Sequence, residues 1–217
     1  MPLKDQDHRK SKEMSSEGET MKQIILATNN SNKVREIRQM LQNAEIEVIP
    51  LREAGIEADV EETGSTFKEN AYLKASEICR LTNKPVLADD SGLEVDFLDG
   101  APGIYSSRFM GEDTPYTEKN RAIIEKLDGV EDEKRGAGFV CVMSLVFPDG
   151  REFFTRGEMR GIIAREPAGE NGFGYDPIVY IPEMGCTSAQ LAPEKKNEIS
   201  HRGKALRQMI QNILENM

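Results

Sequence analysis

Val86-Leu87-Ala88-Asp89-Asp90-Ser91-Gly92-Leu93-Glu94-Val95 is the stretch on which the fold turns. Three apolar residues follow Pro85 and run into two consecutive carboxylates, then Ser-Gly. Val-Leu-Ala predicts a short buried strand. Ser91-Gly92 predicts the turn that ends it. Two adjacent acids at a strand end repel each other unless a cation sits with them. A divalent ion answers that need, and hard oxygen ligands suit Mg²⁺. An Asp-Asp pair can equally open a solvated loop, so the flanking sequence has to decide.

Upstream, Thr66-Phe67-Lys68-Glu69 reads as a capping box. It opens a helix with Ala71, Ala75, Ile78 and Cys79 on its apolar face, ending near Asn83 ahead of Pro85. Lys74 falls off that stripe, either solvated or aimed at a ligand. Asp59 to Glu62 form an acidic loop before Thr63-Gly64. Earlier still, Gln23 to Ala27 and Ile46 to Pro50 read as strands, with a helix between them marked by Val34, Ile37, Met40 and Leu41. Strand–helix–strand alternation predicts an α/β architecture. The loop Thr28-Asn29-Asn30-Ser31-Asn32-Lys33 leads into the first helix, which Asn30 or Ser31 can cap. A helix N-terminus beside a lysine is a site for an anion. It is not a Walker loop, because the glycines are missing.

Downstream, Gly100-Ala101-Pro102-Gly103 is a turn, and Ile104 to Phe109 carry Arg108. Thr114-Pro115 predicts a helix start with Pro at the first helical position. Gly138 to Phe147 is almost continuously apolar, which predicts a central strand covered on both faces. Pro148-Asp149-Gly150 turns it into a hairpin partner over Arg151 to Arg156, and Met159 to Ala164 reads as a further short strand. The loop from Gly169 to Pro177 is glycine-rich and holds Phe173, Gly174, Tyr175 and Asp176. Glycines let backbone approach a ligand, and an aromatic ring can stack on a base. Ile178 to Ile181 is a strand. Lys195, Lys196, Ser200, His201 and Arg202 gather before the last helix, with Ser200 as its N-cap and Leu206, Met209, Ile210 and Ile213 as its core stripe.

Composition narrows the function. The chain has 217 residues and a net charge of −10, from 28 basic and 38 acidic residues. That acidity argues against coating nucleic acid. It leaves room for a phosphorylated small molecule where the few cations converge or a metal bridges. No segment approaches the ~20 apolar residues that span a bilayer, and the N-terminus lacks the apolar core of a signal peptide. Cys79, Cys141 and Cys186 form no Cys-x-x-Cys pair, which argues against a disulfide framework and a structural zinc site. A reducing, cytoplasmic location is the expectation. Two histidines, His8 and His201, exclude a multi-histidine metal site. Residues 1–20 carry mixed charge and few large apolar side chains, and read as a flexible extension to a domain spanning 21–217.

Six stretches, in order, resemble the inosine-triphosphate pyrophosphatase family, the XTP/dITP diphosphatases. They are Ala27 to Lys33, Glu61 to Ala71, Ala88-Asp89-Asp90-Ser91-Gly92-Leu93, Gly100 to Ser106, Gly172 to Asp176, and Ile199-Ser200-His201-Arg202. The departure is Asn29, where many relatives have Gly. The resemblance implies a homodimeric α/β protein with a long mixed central sheet, flanking helices, and two lobes around a nucleotide cleft. It implies Mg²⁺-dependent cleavage of ITP, dITP or XTP to the monophosphate and pyrophosphate. Asp90 is then the general base, and Glu61 with Asp90 the metal set, assisted by Asp89 or Glu62. Thr28, Asn29, Asn30, Ser31, Asn32, Lys33, Lys74, Ser91 and Lys196 hold phosphates and sugar. Phe173, Gly174, Tyr175 and Asp176, with His201 and Arg202, hold the base.

Overall fold

In the computed structural model, residues 21–217 are described, so the expected extension at 1–20 lies outside the described residues. The strands are β1 (Lys22–Leu26), β2 (Ile46–Pro50), β3 (Val86–Val95), β4 (Gly136–Val146), β5 (Glu152–Ile163), β6 (Val179–Ile181) and β7 (Cys186–Thr187). The helices are α1 (Ser31–Leu41), α2 (Phe67–Thr82), α3 (Tyr116–Lys126), α4 (Pro193–Ile199) and α5 (His201–Asn216). One mixed sheet holds all seven strands, in the order β2-β1-β3-β4-β5-β6-β7. β1 runs parallel to β2 and β3, and the remaining pairs are antiparallel. β4 is the middle strand, as its apolar run predicts.

The helices cover both faces. Ile37 and Leu41 of α1 and Leu206, Met209 and Ile213 of α5 pack over Leu87, Cys141, Met143 and Leu145. Ala75, Ile78 and Cys79 of α2 pack on the other side, over Ile25, Val86 and Ala88. α1, which leaves β1 for β2, and α2, which leads from β2 to β3, therefore cover opposite faces, and because β2 and β3 flank β1 its C-terminal end is a switch point of the kind that opens a crevice. β1 pairs with β3 only at Val86 and Leu87. Beyond them β3 runs on beside β4, from Ala88 against Ser144 to Val95 against Ala137. A second core forms on that continuation, where Leu93, Val95, Ala137 and Phe139 pack with Ile123 and Leu127 around α3.

Four local expectations are corrected. Ser91-Gly92 does not end β3, because Leu93 and Val95 are fully buried in the second core and β4 supplies a partner at every step. Gly92 is there for close packing: a Cβ would lie 2.2 Å from the Gly103 carbonyl oxygen. Met159 to Ala164 is not a separate strand but the second half of the long β5. Pro115 is the N-cap of α3 and not its first residue. At α2, Thr66 does accept from the Glu69 N–H, but the Glu69 carboxylate reaches the N–H and hydroxyl of Ser65, one residue before the cap. α4 is an element the sequence reading did not anticipate.

Candidate active site

A cleft of ≈ 950 Å³ lies along β3 where β1 ends. Strand geometry dictates its chemistry, because consecutive side chains point to opposite faces. Asp90 points to the α2 face. There Asn70 Nδ2 donates to Asp90 Oδ2 at 3.2 Å, and Asn70 Oδ1 accepts from Gly64 N–H at 2.8 Å. Lys74 Nζ lies 3.8 Å from Asp90 Oδ1, 2.6 Å from Glu62 Oε1 and 2.8 Å from the Asp89 carbonyl oxygen. Arg108 Nη1 donates to the other Glu62 oxygen at 2.9 Å. One ammonium thus sits between two carboxylates. Burial raises the pKa of Asp90, and the charge of Glu62 adds to the rise against Lys74, Lys33 and Asn70. Burial also pushes Glu62 up, but Lys74, Arg108 and Lys33 outweigh it and hold the carboxyl below its ordinary value.

Asp89 points the other way, toward α1 and α5. Its Oδ2 accepts from Ser91 Oγ at 2.8 Å and pairs with Lys33 Nζ at 3.0 Å and Arg202 Nη2 at 3.3 Å. Burial pushes this carboxyl up as well, but the cations of Lys33, Arg202 and Lys74 hold it far below the usual carboxylate range. Lys33 stands in the first turn of α1, where Asn30 Oδ1 caps the helix by accepting from the N–H groups of Asn32 and Lys33. Those two amides are committed to the cap. What α1 offers an anion is the Lys33 ammonium and the field of the helix end.

The far end of the cleft is built by α5. Ser200 Oγ accepts from Gly203 N–H and starts the helix, which sets His201 and Arg202 in its first turn. His201 stacks on Phe139, with ring centroids 5.0 Å apart. Burial and the neighbouring cations Arg202 and Lys196 drive its pKa well below the ordinary imidazole value, so the ring is neutral at pH 7. Arg202 is anchored by Glu36 Oε2 at 2.5 Å, and Glu36 Oε1 accepts from Lys196 at 2.8 Å. Lys196 continues to Asp176 Oδ2 at 2.6 Å, and the same oxygen accepts from Phe173 N–H at 2.7 Å. Buried charges alternate in sign along this chain, as they must. The Phe173 ring lies against Lys196 Nζ (5.3 Å) and Arg202 Cζ (5.7 Å). Gly172 is required behind it, because it has φ +77° and a Cβ would meet Asp176 Oδ2 at 2.1 Å. Among the described residues, His201 Nδ1 and Arg202 Nε are buried without a hydrogen-bond partner. Both residues line the cleft.

A family model described as "Ham1 family" matches residues 24–212. A dITP/XTP pyrophosphatase of Clostridium perfringens is 45% identical over 199 residues, covering 89% of this chain and 98% of its own. The chain belongs to the Ham1 family. A solved HAM1 protein from Coxiella burnetii is 44% identical, with a TM-score of 0.82 over 90% of this chain and all of its own. The Staphylococcus aureus Ham1 protein is 42% identical with a TM-score of 0.80 over the same shares.

Against this Ham1 scaffold, most of the sequence-derived residues converge. Thr28, Asn29, Asn30, Lys33, Glu61, Glu62, Lys74, Asp90, Ser91, Phe173, Gly174, Tyr175, Asp176, Lys196, His201 and Arg202 all line the cleft. Ser31 and Asn32 do not, since they sit in the α1 turn that Asn30 caps. Asp89 is not in the lining either, and its place on the opposite face from Asp90 does not suit the ion-sharing role the adjacent pair suggests. Glu62 is the loop acid that meets Lys74, whereas Glu61 is exposed at the rim. Lys196, grouped with the phosphates on the resemblance, lies among Asp176, Phe173 and Glu36. Sequence reasoning missed Asn70, Arg108 and Glu36 as site residues. Asn70 left a signal, a polar residue just ahead of Ala71 on the buried face of α2. Glu36 left none, because its partners lie 160 and 166 positions away.

Proposed function

We propose that the cleft binds a purine nucleoside triphosphate lengthwise and hydrolyses it to the monophosphate and pyrophosphate, with dITP, XTP and ITP as substrates. The chain is a nucleoside-triphosphate diphosphatase, a hydrolase of the nucleotide pool. One observation carries the finer reading. A carboxylate of raised pKa stands at one end, and two buried polar atoms with no protein partner stand at the other.

Base choice follows from donors and acceptors. The 6-oxygen of hypoxanthine and xanthine accepts hydrogen bonds, while the 6-amino group of adenine donates them. Arg202 can only donate. Neutral His201 offers one donor and one acceptor nitrogen. An adenine leaves donor facing donor in a buried site, and such mispairing discriminates by ~10⁴ or more where shape alone gives ~10². Phe173, backed by two cations, offers the base a stacking face.

At the other end, Asp90 takes the proton of the water that attacks the α-phosphorus. Lys33 and Lys74 offset the charge of the phosphates. Mg²⁺ fits the donor set. Glu62 and Asp90 give two hard carboxylate oxygens around one cationic point, and Mg²⁺ is usually held by one or two carboxylates together with substrate phosphates. Among the described residues no three acidic, His or Cys side chains gather to hold an ion alone, which suits an ion that arrives with its nucleotide. Glu62 and Asp90 would hold it, and it would supply Lewis-acid stabilisation of phosphate charge.

In the same reading residues 21–217 are the catalytic unit. It works as a homodimer in the cytoplasm on free nucleotides and not on nucleic acid, in keeping with its acidity. Among the described residues no helix is long and apolar enough to cross a membrane. The test is pyrophosphate release from dITP, XTP, ITP, ATP and GTP, with Mg²⁺ and with a chelator. Release from the oxo purines alone, and only with the metal, supports the reading. Equal turnover of ATP and dITP would remove the base assignment.

A further inference from the structure

We propose that Asp89 is a positioning residue that couples the phosphate end of the cleft to its base end, by holding Lys33 and Arg202 on one carboxylate oxygen. The inference rests on the proposed function for which end is which. Asp89 is 1% exposed and outside the cleft lining, so it acts through its partners and not on the nucleotide. Its Oδ2 carries Lys33 Nζ at 3.0 Å, Arg202 Nη2 at 3.3 Å and Ser91 Oγ at 2.8 Å. Among the described residues its Oδ1 is buried with no hydrogen-bond partner. The carboxylate thus directs everything it offers through one oxygen, and the two cations share it. They come from the first turns of two different helices, α1 and α5. The Lys33 side chain is 15% exposed and within reach of a ligand, whereas that of Arg202 is 2% exposed.

Phosphate oxygens compete with Asp89 for the Lys33 ammonium. As Lys33 turns toward them, the charge of Asp89 falls to Arg202 and Ser91. Arg202 is then gripped by Glu36 on Nη1 and by Asp89 on Nη2, with its unpartnered Nε–H left for the base. Occupation of the phosphate end tightens the residue that reads the base, and departure of pyrophosphate relaxes it.

The experiment follows the Arg202 Nε–H resonance by NMR in the full chain labelled with ¹⁵N-arginine, without and with pyrophosphate, whose binding is measured by calorimetry. Pyrophosphate is expected to shift the resonance in wild type. In Asp89→Asn it is expected to bind at least as tightly, because its competitor for Lys33 is gone, and still leave the resonance where it was. An equal shift in Asp89→Asn, or no shift in wild type with pyrophosphate bound, would overturn the coupling. If calorimetry finds no pyrophosphate bound to wild type, the phosphate-end assignment fails and takes the coupling with it. Lys33→Met covers the case in which Asp89→Asn does not fold. Its Arg202 resonance should already be displaced without ligand, because the oxygen is no longer shared, and an undisplaced resonance counts against the proposal. In turnover, the dITP/ATP ratio of kcat/KM should fall at least ~5-fold in Asp89→Asn, the lower end of ordinary coupling strengths. A merely structural role would lower both rates and keep the ratio.

Discussion

A buried carboxyl keeps its proton to higher pH than one in water, and Asp90 is such a group. In the proposed role of general base it must be ionised. The acid limb of kcat/KM should therefore lie above the ordinary Asp value of 3.8, with activity falling as pH drops through the limb. Lys74→Met removes the largest charge opposing that shift, so it should move the limb to higher pH, as read from a kcat/KM profile. A limb that stays or moves down would detach Lys74 from Asp90. Asp90→Asn should fold and lose ~10²–10⁴-fold in turnover, the usual worth of an acid–base group. Activity within a few-fold of wild type would remove Asp90 from that role. His201 gives a stability test. It is neutral when folded, with a pKa well below 6.5, and titrates near 6.5 when unfolded. Below pH 6.5 the unfolded chain binds the extra proton, so stability present above that pH is lost as pH falls, at up to ~1.4 kcal/mol per pH unit. His201→Gln should flatten the fall of Tm between pH 7.5 and 5.5, and an unchanged slope would mean that another group sets it.

At the scale of elements, β5 and α5 meet where no side chain intervenes. A Cβ on Gly157 would lie 2.1 Å from the His201 carbonyl oxygen and 2.7 Å from the Ala205 amide nitrogen. Gly157→Ala should push back the first turn of α5, costing about 1–3 kcal/mol as overpacking does. It should also lower kcat/KM for dITP more than Tm alone explains, because His201 and Arg202 ride on that turn. Full activity at a lowered Tm would separate the helix position from base binding. Gly157 lies in the gap between the two strands expected over β5, and a strand glycine is compatible with a break as readily as with a close approach. β4 was legible because burial on both faces leaves a continuous apolar run. The extent of β3 was not, since Ser91-Gly92 has turn composition and only the distant partners on β4 and α3 keep the chain extended through it.

Across the whole molecule, the site draws its residues from the β1–α1 loop, the 59–62 loop, α2, β3, the 169–177 loop and α5, and the sheet order brings them to one crevice. Most of the individual polar residues were legible as motifs, because they sit at a cap or in a glycine-rich loop or, like Asp89 and Asp90, follow an apolar run. Their pairing was not. The ladder Arg202–Glu36–Lys196–Asp176 joins residues far apart in the chain, and the opposite aims of Asp89 and Asp90 became readable only once both lay within one strand. With net charge −10, the chain meets a polyanionic substrate through a few converging cations. Hydrolysis of a triphosphate can break either of two anhydride bonds, and an Asp90 that activates water at the α-phosphorus fixes which. The direct measurement is a single turnover of dITP in ¹⁸O-water with Mg²⁺, followed by mass spectrometry of both products. The label should be found in the nucleoside monophosphate and not in the pyrophosphate. Label in pyrophosphate, or release of orthophosphate and the diphosphate, would contradict attack at the α-phosphorus.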